Sequence, residues 1–237
     1  MQEEQLIRQS VQRQRVVGVA DIVLLIDNTG SMQPCIDGLK ENITRGFVDQ
    51  LEGKRTSTQM KVDWRCRVVT YGDVDADWPN WINLSNPFVD DANALKRQIN
   101  AITLINGGDI EETFLDALYM VMKDTKWRDK CHRFIVAFSD APTKPRLNPR
   151  IIEEHEADDV PHLQQLLIAQ RIKLYGVLPE HETYQELFRQ MSRCWPVWVG
   201  KPGEESVYQG LQNQDFQELL AKIAASVSQS SGQPVPA

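Results

Sequence analysis

Ala20–Asp21–Ile22–Val23–Leu24–Leu25–Ile26–Asp27–Asn28–Thr29–Gly30–Ser31–Met32 is the stretch that decides the fold. Its unbroken apolar run, Ile22–Ile26, shows no polar alternation. Such a run reads as a strand covered on both faces, as in the middle of a parallel sheet. The strand ends in a carboxylate, Asp27, and hydroxyls follow at every second position, Thr29 and Ser31. Residues i, i+2 and i+4 of an extended turn project the same way, so these three side chains can converge on one point. A carboxylate with two neutral hydroxyls suits a hard divalent cation, which takes oxygen ligands. The same residue types also serve to cap a helix that follows. Farther along, Phe134–Phe138 is a second apolar strand, and it runs into Ser139 and Asp140. Two strands that each deliver an Asp at the carboxyl end describe one crevice of an open α/β sheet, where ligands bind.

Outward from these strands the pattern alternates. Val16–Asp27 is followed by a helix over Ile36–Leu51, whose Ile36, Leu39, Ile43, Phe47 and Leu51 fall on one face. Met60–Tyr71 is the next strand, and Trp78–Ser85 reads as a short antiparallel edge strand. Asp90 or Asp91 caps a helix with Leu95, Ile99 and Ile102 on its apolar side. After the Asn106–Asp109 turn comes a helix built on Phe114, Leu115, Leu118, Val121 and Met122, with Glu111 and Glu112 in its first turn. Arg133–Asp140, Ile172–Leu178 and Trp195–Val199 are strands. Leu163–Gln170, Glu182–Met191 and Gln214–Val227 are helices. This order predicts an α/β, Rossmann-like, doubly wound and mainly parallel sheet, with one short antiparallel edge strand and helices on both faces. The domain occupies residues 16–227, between a polar arm at 1–15 and a Ser-, Gln- and Pro-rich disordered tail at 228–237.

Hydrophobic residues make up 41% of the 237, enough for a substantial core. The net charge of −7 speaks against nucleic acid as a partner, since such proteins carry a basic face. The four cysteines, Cys35, Cys66, Cys131 and Cys194, are scattered and form no CxxC pair, so they read as free thiols of a reducing compartment. The first residues lack the apolar core of a signal peptide, and no apolar run approaches the ~20 residues of a membrane helix. The expected location is the cytoplasm. The four histidines show no metal-ligand spacing.

Asp27-Asn28-Thr29-Gly30-Ser31-Met32 resembles the metal-ion-dependent adhesion site (MIDAS) of von Willebrand factor A (vWA) domains, written D-x-[ST]-x-S. The form D-x-T-G-S-M is that of bacterial and alpha-kinase-associated members. Gly107-Gly108-Asp109-Ile110-Glu111-Glu112 through Ala117-Leu118 is similar to the family's G-G-D-x-P-E-x-x-x-x-A-L variant, in which the Glu supplies an ion ligand. By position that Glu is Glu112. The family's Pro is Glu111 here, which leaves Glu111, Glu112 and Asp109 as alternatives, with Glu112 the first choice. A plain first-turn acid is the competing reading for either Glu. Phe138-Ser139-Asp140-Ala141-Pro142 is similar to the family's strand followed by D-A-P, with Asp140 as the distal carboxylate.

The resemblance implies a metal site of Asp27, Thr29, Ser31, Glu112 and Asp140, with Asp109 less firmly included. It implies Mg²⁺ or Mn²⁺ as the ion, and a partner protein whose Glu or Asp completes the coordination. Intracellular members of this type act beside an AAA+ ATPase, a kinase or phosphatase, or a protease effector. A Glu in the site makes it more negative, so the ion is held more tightly and draws a partner's carboxylate less strongly.

A different class of function uses similar parts. Mg²⁺-dependent phosphohydrolases of the haloacid dehalogenase type also place an Asp after a first strand, a later Asp on the ion and a Lys ahead of it, here Lys130. They need a second carboxylate two residues after the first, as general acid. Thr29 stands there, so the chain is expected to bind rather than to catalyse.

Overall fold

The computed structural model describes residues 16–54, 61–105, 111–200, 208 and 213–233. The arm at 1–15 and the Gly107-Gly108-Asp109 loop tip lie outside the described residues.

Strands β1 (Val16–Asp27), β2 (Lys61–Tyr71), β3 (Ile82–Asn83), β4 (His132–Phe138), β5 (Ile172–Leu178) and β6 (Cys194–Trp198) form one sheet in the order β3-β2-β1-β4-β5-β6. All the pairings are parallel except β2 with the short edge strand β3, as expected from the sequence. The chain winds from β1 outward to β3 and then returns to β4, on the other side of β1. That reversal makes the gap between β1 and β4 the topological switch point, where open α/β sheets bind ligands.

Alternate residues of β1 enter two cores, which explains why its apolar run is continuous. Ile22, Leu24 and Ile26 pack on one face with Ile36 and Leu39 of α1 (Gln33–Asn42), Leu95 and Ile99 of α2 (Ala92–Asn100), and a closing helix. Val23 and Leu25 pack on the other with Leu118 of α3 (Phe114–Asp124), Leu163 of α4 (Val160–Ala169) and Leu187 of α5 (Glu182–Phe188). The helical course of α1 continues through a wider π-turn, Ile43–Val48, to Leu51, and Gly53 follows with φ 67° as the stop. Asp91 caps α2 by accepting from the Ala94 amide at 2.8 Å.

Fully buried Asp21 anchors β1 to its surroundings. It accepts from Arg65 Nε and Nη2 at 2.8 and 2.7 Å, and from Arg128 Nε and its backbone N–H at 2.7 Å each. These charge-assisted bonds satisfy a carboxylate that would otherwise be costly to bury.

Two expectations are corrected. The closing helix, α6 (Asn213–Ser231), does not stop at Val227. Its last turn is held because Gly18 of β1 has no side chain where the Ser231 carbonyl approaches, and Ser231 Oγ donates to the Val227 carbonyl at 2.7 Å. Glu111 and Glu112 do not lie in the first turn of α3, which begins at Phe114. Glu112 instead pairs with Thr143 in an isolated parallel bridge. Its N–H donates to the Pro142 carbonyl at 2.9 Å and its carbonyl accepts from the Lys144 N–H at 3.1 Å.

Candidate functional site

Ile26 lies opposite Phe138, so the residues just beyond, Asp27 and Ser139, emerge side by side from the central strands. Asp27 is fully buried. Its Oδ1 accepts from the Thr29 N–H at 2.9 Å and from Thr29 Oγ1 at 2.8 Å, and its Oδ2 accepts from Ser139 Oγ at 2.8 Å. One turn farther on, Ser31 Oγ donates to Asp140 Oδ1 at 2.9 Å. The β1 loop and the β4 loop are thus joined by two hydroxyl–carboxylate bonds, Ser139–Asp27 and Ser31–Asp140.

The backbone around Thr29 is fixed from outside. Asn28 N–H donates to the Tyr71 carbonyl at 2.9 Å, its Nδ2 to the Thr103 carbonyl at 2.7 Å, and its carbonyl accepts from Ile105 N–H at 2.9 Å. Thr29 remains extended, φ −67° and ψ 164°, before the tight turn Gly30–Met32. Its hydroxyl makes no cap bond to that turn, so the helix-capping alternative does not describe it. Gly30 and Ser31 are exposed while Asp27 and Thr29 are buried, so the loop presents its oxygens from the protein interior up to the surface.

Glu112 is buried beside this pair of loops, carried there by its bridge to the segment after Asp140. The carboxylates also act on their neighbours through charge. Burial pushes the Asp27 carboxyl up to about 6, and the Asp140 charge adds to the rise against the hydrogen bonds from Thr29 and Ser139. Burial likewise holds the Tyr184 hydroxyl well above the usual tyrosine range, and the charges of Asp27, Glu112 and Asp140 all add to it. Tyr184 itself donates to the Ala141 carbonyl at 3.0 Å and packs edge-on against Phe114, with centroids 5.3 Å apart.

Behind the site, Asp73 caps the helical turn Val74–Asp77 and pairs with Lys144 Nζ at 2.8 Å. Lys144 also reaches Asp75 at 3.1 Å, and Arg146 pairs with Asp158 at 2.6 Å. Lys144 thus ties the loop after Asp140 to the turn that follows β2. Of the two tryptophans just before β3, Trp78 is exposed and Trp81 is buried.

The structure therefore bonds Thr29 to Asp27 and Ser31 to Asp140, links the two pairs through Ser139, and buries Glu112 in the segment bridged to Thr143, while Asp109 lies outside the described residues. Sequence reasoning missed the role of Ser139, whose only signal was a hydroxyl at the first position after an apolar strand. The donor set is oxygen throughout. Among the described residues no cluster of three or more His, Cys, Asp and Glu side chains could hold a metal alone. An ion here would need the hydroxyls as well as the carboxylates. They are suited to it: each donates its proton to a carboxylate and keeps lone pairs for a cation. The Asp140 charge raises the proton affinity of Asp27, and a cation between them would relieve that.

Lys130 precedes β4, whereas Asp140 follows it, so a strand of roughly 20 Å separates them. The phosphohydrolase arrangement thus has neither its Lys nor its second carboxylate at this site.

The von Willebrand factor type A domain model matches residues 21–227. It gives no support to the phosphohydrolase reading. No curated protein matches the chain. Among solved structures, proximal thread matrix protein 1 from the mussel byssus is similar in two forms. The form with a zinc-occupied MIDAS motif aligns with a TM-score of 0.53 and 13% identity, over 90% of this chain and 47% of that one. The other aligns at 0.51 and 13%, over 93% and 48%. The chain thus spans about half the length of these structures, and the likeness is one of fold.

Proposed function

Because this chain belongs to the von Willebrand factor type A domain family, we propose that it is a protein-binding module working through a divalent cation at the carboxyl ends of β1 and β4. Asp27, Thr29, Ser31 and Asp140 would hold the ion, with Glu112 as a further carboxylate and Asp109 as its alternative. The observation that carries this reading is the Ser31–Asp140 bond, 2.9 Å long between residues 109 positions apart. It sets a neutral hydroxyl and a carboxylate from different strands at one point on the surface.

The all-oxygen donor set favours Mg²⁺ or Mn²⁺ over softer ions. When bound, the ion offers a coordination position to a Glu or Asp carboxylate of a partner protein. The chain's own groups do the rest. Thr29 and Ser139 orient Asp27, Ser31 orients Asp140, and the Lys144–Asp73 pair braces the second loop. The module acts by recruitment rather than turnover. We place it in the cytoplasm, in a multi-protein signalling, chaperone-like or defence system, beside an AAA+ ATPase, a kinase or phosphatase, or a protease effector. The free, buried state of all four cysteines supports a reducing compartment.

Affinity capture from source lysate tests this, with wild-type bait in Mg²⁺ and in EDTA, and Asp140→Ala bait in Mg²⁺. The proposal expects a protein retained by wild type in Mg²⁺ and lost in the other two conditions. Identical retention in all three would overturn it.

A further inference from the structure

At the opposite end of the sheet, by the amino ends of β4 and β5, lies a cavity of about 470 Å³. Its lining reverses the character of the chain. Four basic side chains, Arg133, Arg171, Lys173 and Arg193, line it, against one carboxylate among the described residues, Asp129, in a protein of net charge −7. They come from three segments: Arg133 from the start of β4, Arg171 and Lys173 from the turn into β5 and the start of that strand, and Arg193 from the turn before β6. Folding alone has gathered them.

Arg133 and Lys173 are half-buried, Arg171 and Arg193 exposed, and the like charges act on their neighbours. Burial, then the Arg193 charge, holds the Lys173 ammonium below its ordinary range. Burial, then Lys173 and Arg193, does the same to His132, which also lines the cavity. His132 Nε2 lies 2.9 Å from the Gln233 carbonyl, and Arg133 Nη1 donates to the Gln170 carbonyl at 3.1 Å. Neutral carbonyls thus orient His132 and Arg133.

Arg171 sits where α4 ends. Its φ is 57°, in the left-handed region that favours glycine at the end of a helix. The position follows α4 directly, and its N–H donates to the Ile168 carbonyl at 3.0 Å, closing that helix. A β-carbon costs some strain there, so a glycine would fit this helix end at least as well. Trp195 forms another part of the wall, its ring stacked on Tyr175 with centroids 4.9 Å apart.

We propose that this cavity is a binding site for a small molecule bearing two or more phosphate groups, held by Arg133, Arg171, Lys173 and Arg193. Guanidinium forks match phosphate oxygens in pairs, and the ammonium adds a point charge. The volume lies in the range of small-molecule sites. Inorganic pyrophosphate and a nucleoside diphosphate share this chemistry and differ at Trp195, on which a base can stack.

Isothermal titration of the whole chain in EDTA, which removes the cation site from account, with pyrophosphate and with ADP as probes, tests the proposal. Wild type should bind at least one of them saturably, and Arg193→Ala should weaken it at least tenfold. Arg171→Gly is the decisive second variant. It removes a charge while giving the backbone the residue its φ favours, so it should keep a cooperative melt and still bind at least tenfold more weakly. ADP binding tighter than pyrophosphate, with the difference abolished by Trp195→Ala, assigns a nucleotide; equal binding assigns the phosphates alone. No binding of either probe, or binding unchanged in both charge variants, overturns the proposal.

Discussion

Ser139 Oγ donates to Asp27 Oδ2 at 2.8 Å, across the ends of two neighbouring parallel strands. Both residues are fully buried. This bond closes the switch point of the sheet, and it links the two motifs that sequence reading placed in one crevice without saying how they touch.

Removing it exposes its weight. Ser139→Ala leaves one oxygen of a buried carboxylate without that partner, a loss of about 1–3 kcal/mol. Urea denaturation should show that loss as a lower midpoint with an unchanged slope. Ser31→Ala, at an exposed position, should stay within about 0.5 kcal/mol of wild type. Equal midpoints for Ser139→Ala and wild type would contradict the geometry.

Asp116 sets a pH dependence. It is buried in α3, and its Oδ1 accepts from the Asn148 N–H at 2.6 Å. Burial pushes its carboxyl up to about 7, despite that bond and the Lys144 charge. The folded state therefore holds this proton above the pH at which the unfolded chain releases it, near 3.9. Folding stability from this group falls as pH rises from about 4 to about 7, and is lowest above that window. Asp116→Asn keeps an acceptor for Asn148 and removes the titration. Its melting temperature should fall less than wild type's between pH 5 and pH 8, and parallel curves would refute the assignment.

Glu112 tests the balance between holding an ion and presenting it. On the proposed ligand set, Glu112→Gln lowers the negative charge of the site and should weaken Mn²⁺ binding about tenfold, on the order of 1.4 kcal/mol. The ion then draws an acidic partner more strongly per bound site. Titration calorimetry at saturating Mn²⁺ against the captured partner reads the second effect. Unchanged ion affinity would remove Glu112 from the set.

Much of this was legible in the sequence because it is local. The Ile22–Ile26 run, the Asp27-x-Thr29-x-Ser31 spacing and the Asp91 cap each depend on a few adjacent residues, and the short antiparallel edge strand also formed where expected. What escaped depends on partners far along the chain. Glu112 leaves helical geometry for a bridge to Thr143, which no local propensity announces. Asp21 draws Arg65 and Arg128 from distant segments. The extension of the last helix to Ser231 rests on a glycine more than two hundred residues earlier, Gly18. The cations of the cavity by the amino ends of β4 and β5 are spread from Arg133 to Arg193 and form a group only once those strands lie side by side.

The most direct test of the central claim is Mn²⁺ binding to the purified chain, followed by loss of the free-ion electron paramagnetic resonance signal. Wild type should take up one saturable equivalent, and Ser31→Ala and Asp140→Ala, each melting cooperatively, should bind at least tenfold more weakly. No saturable uptake by wild type, or equal uptake by all three proteins, would contradict a cation site built on the ends of β1 and β4.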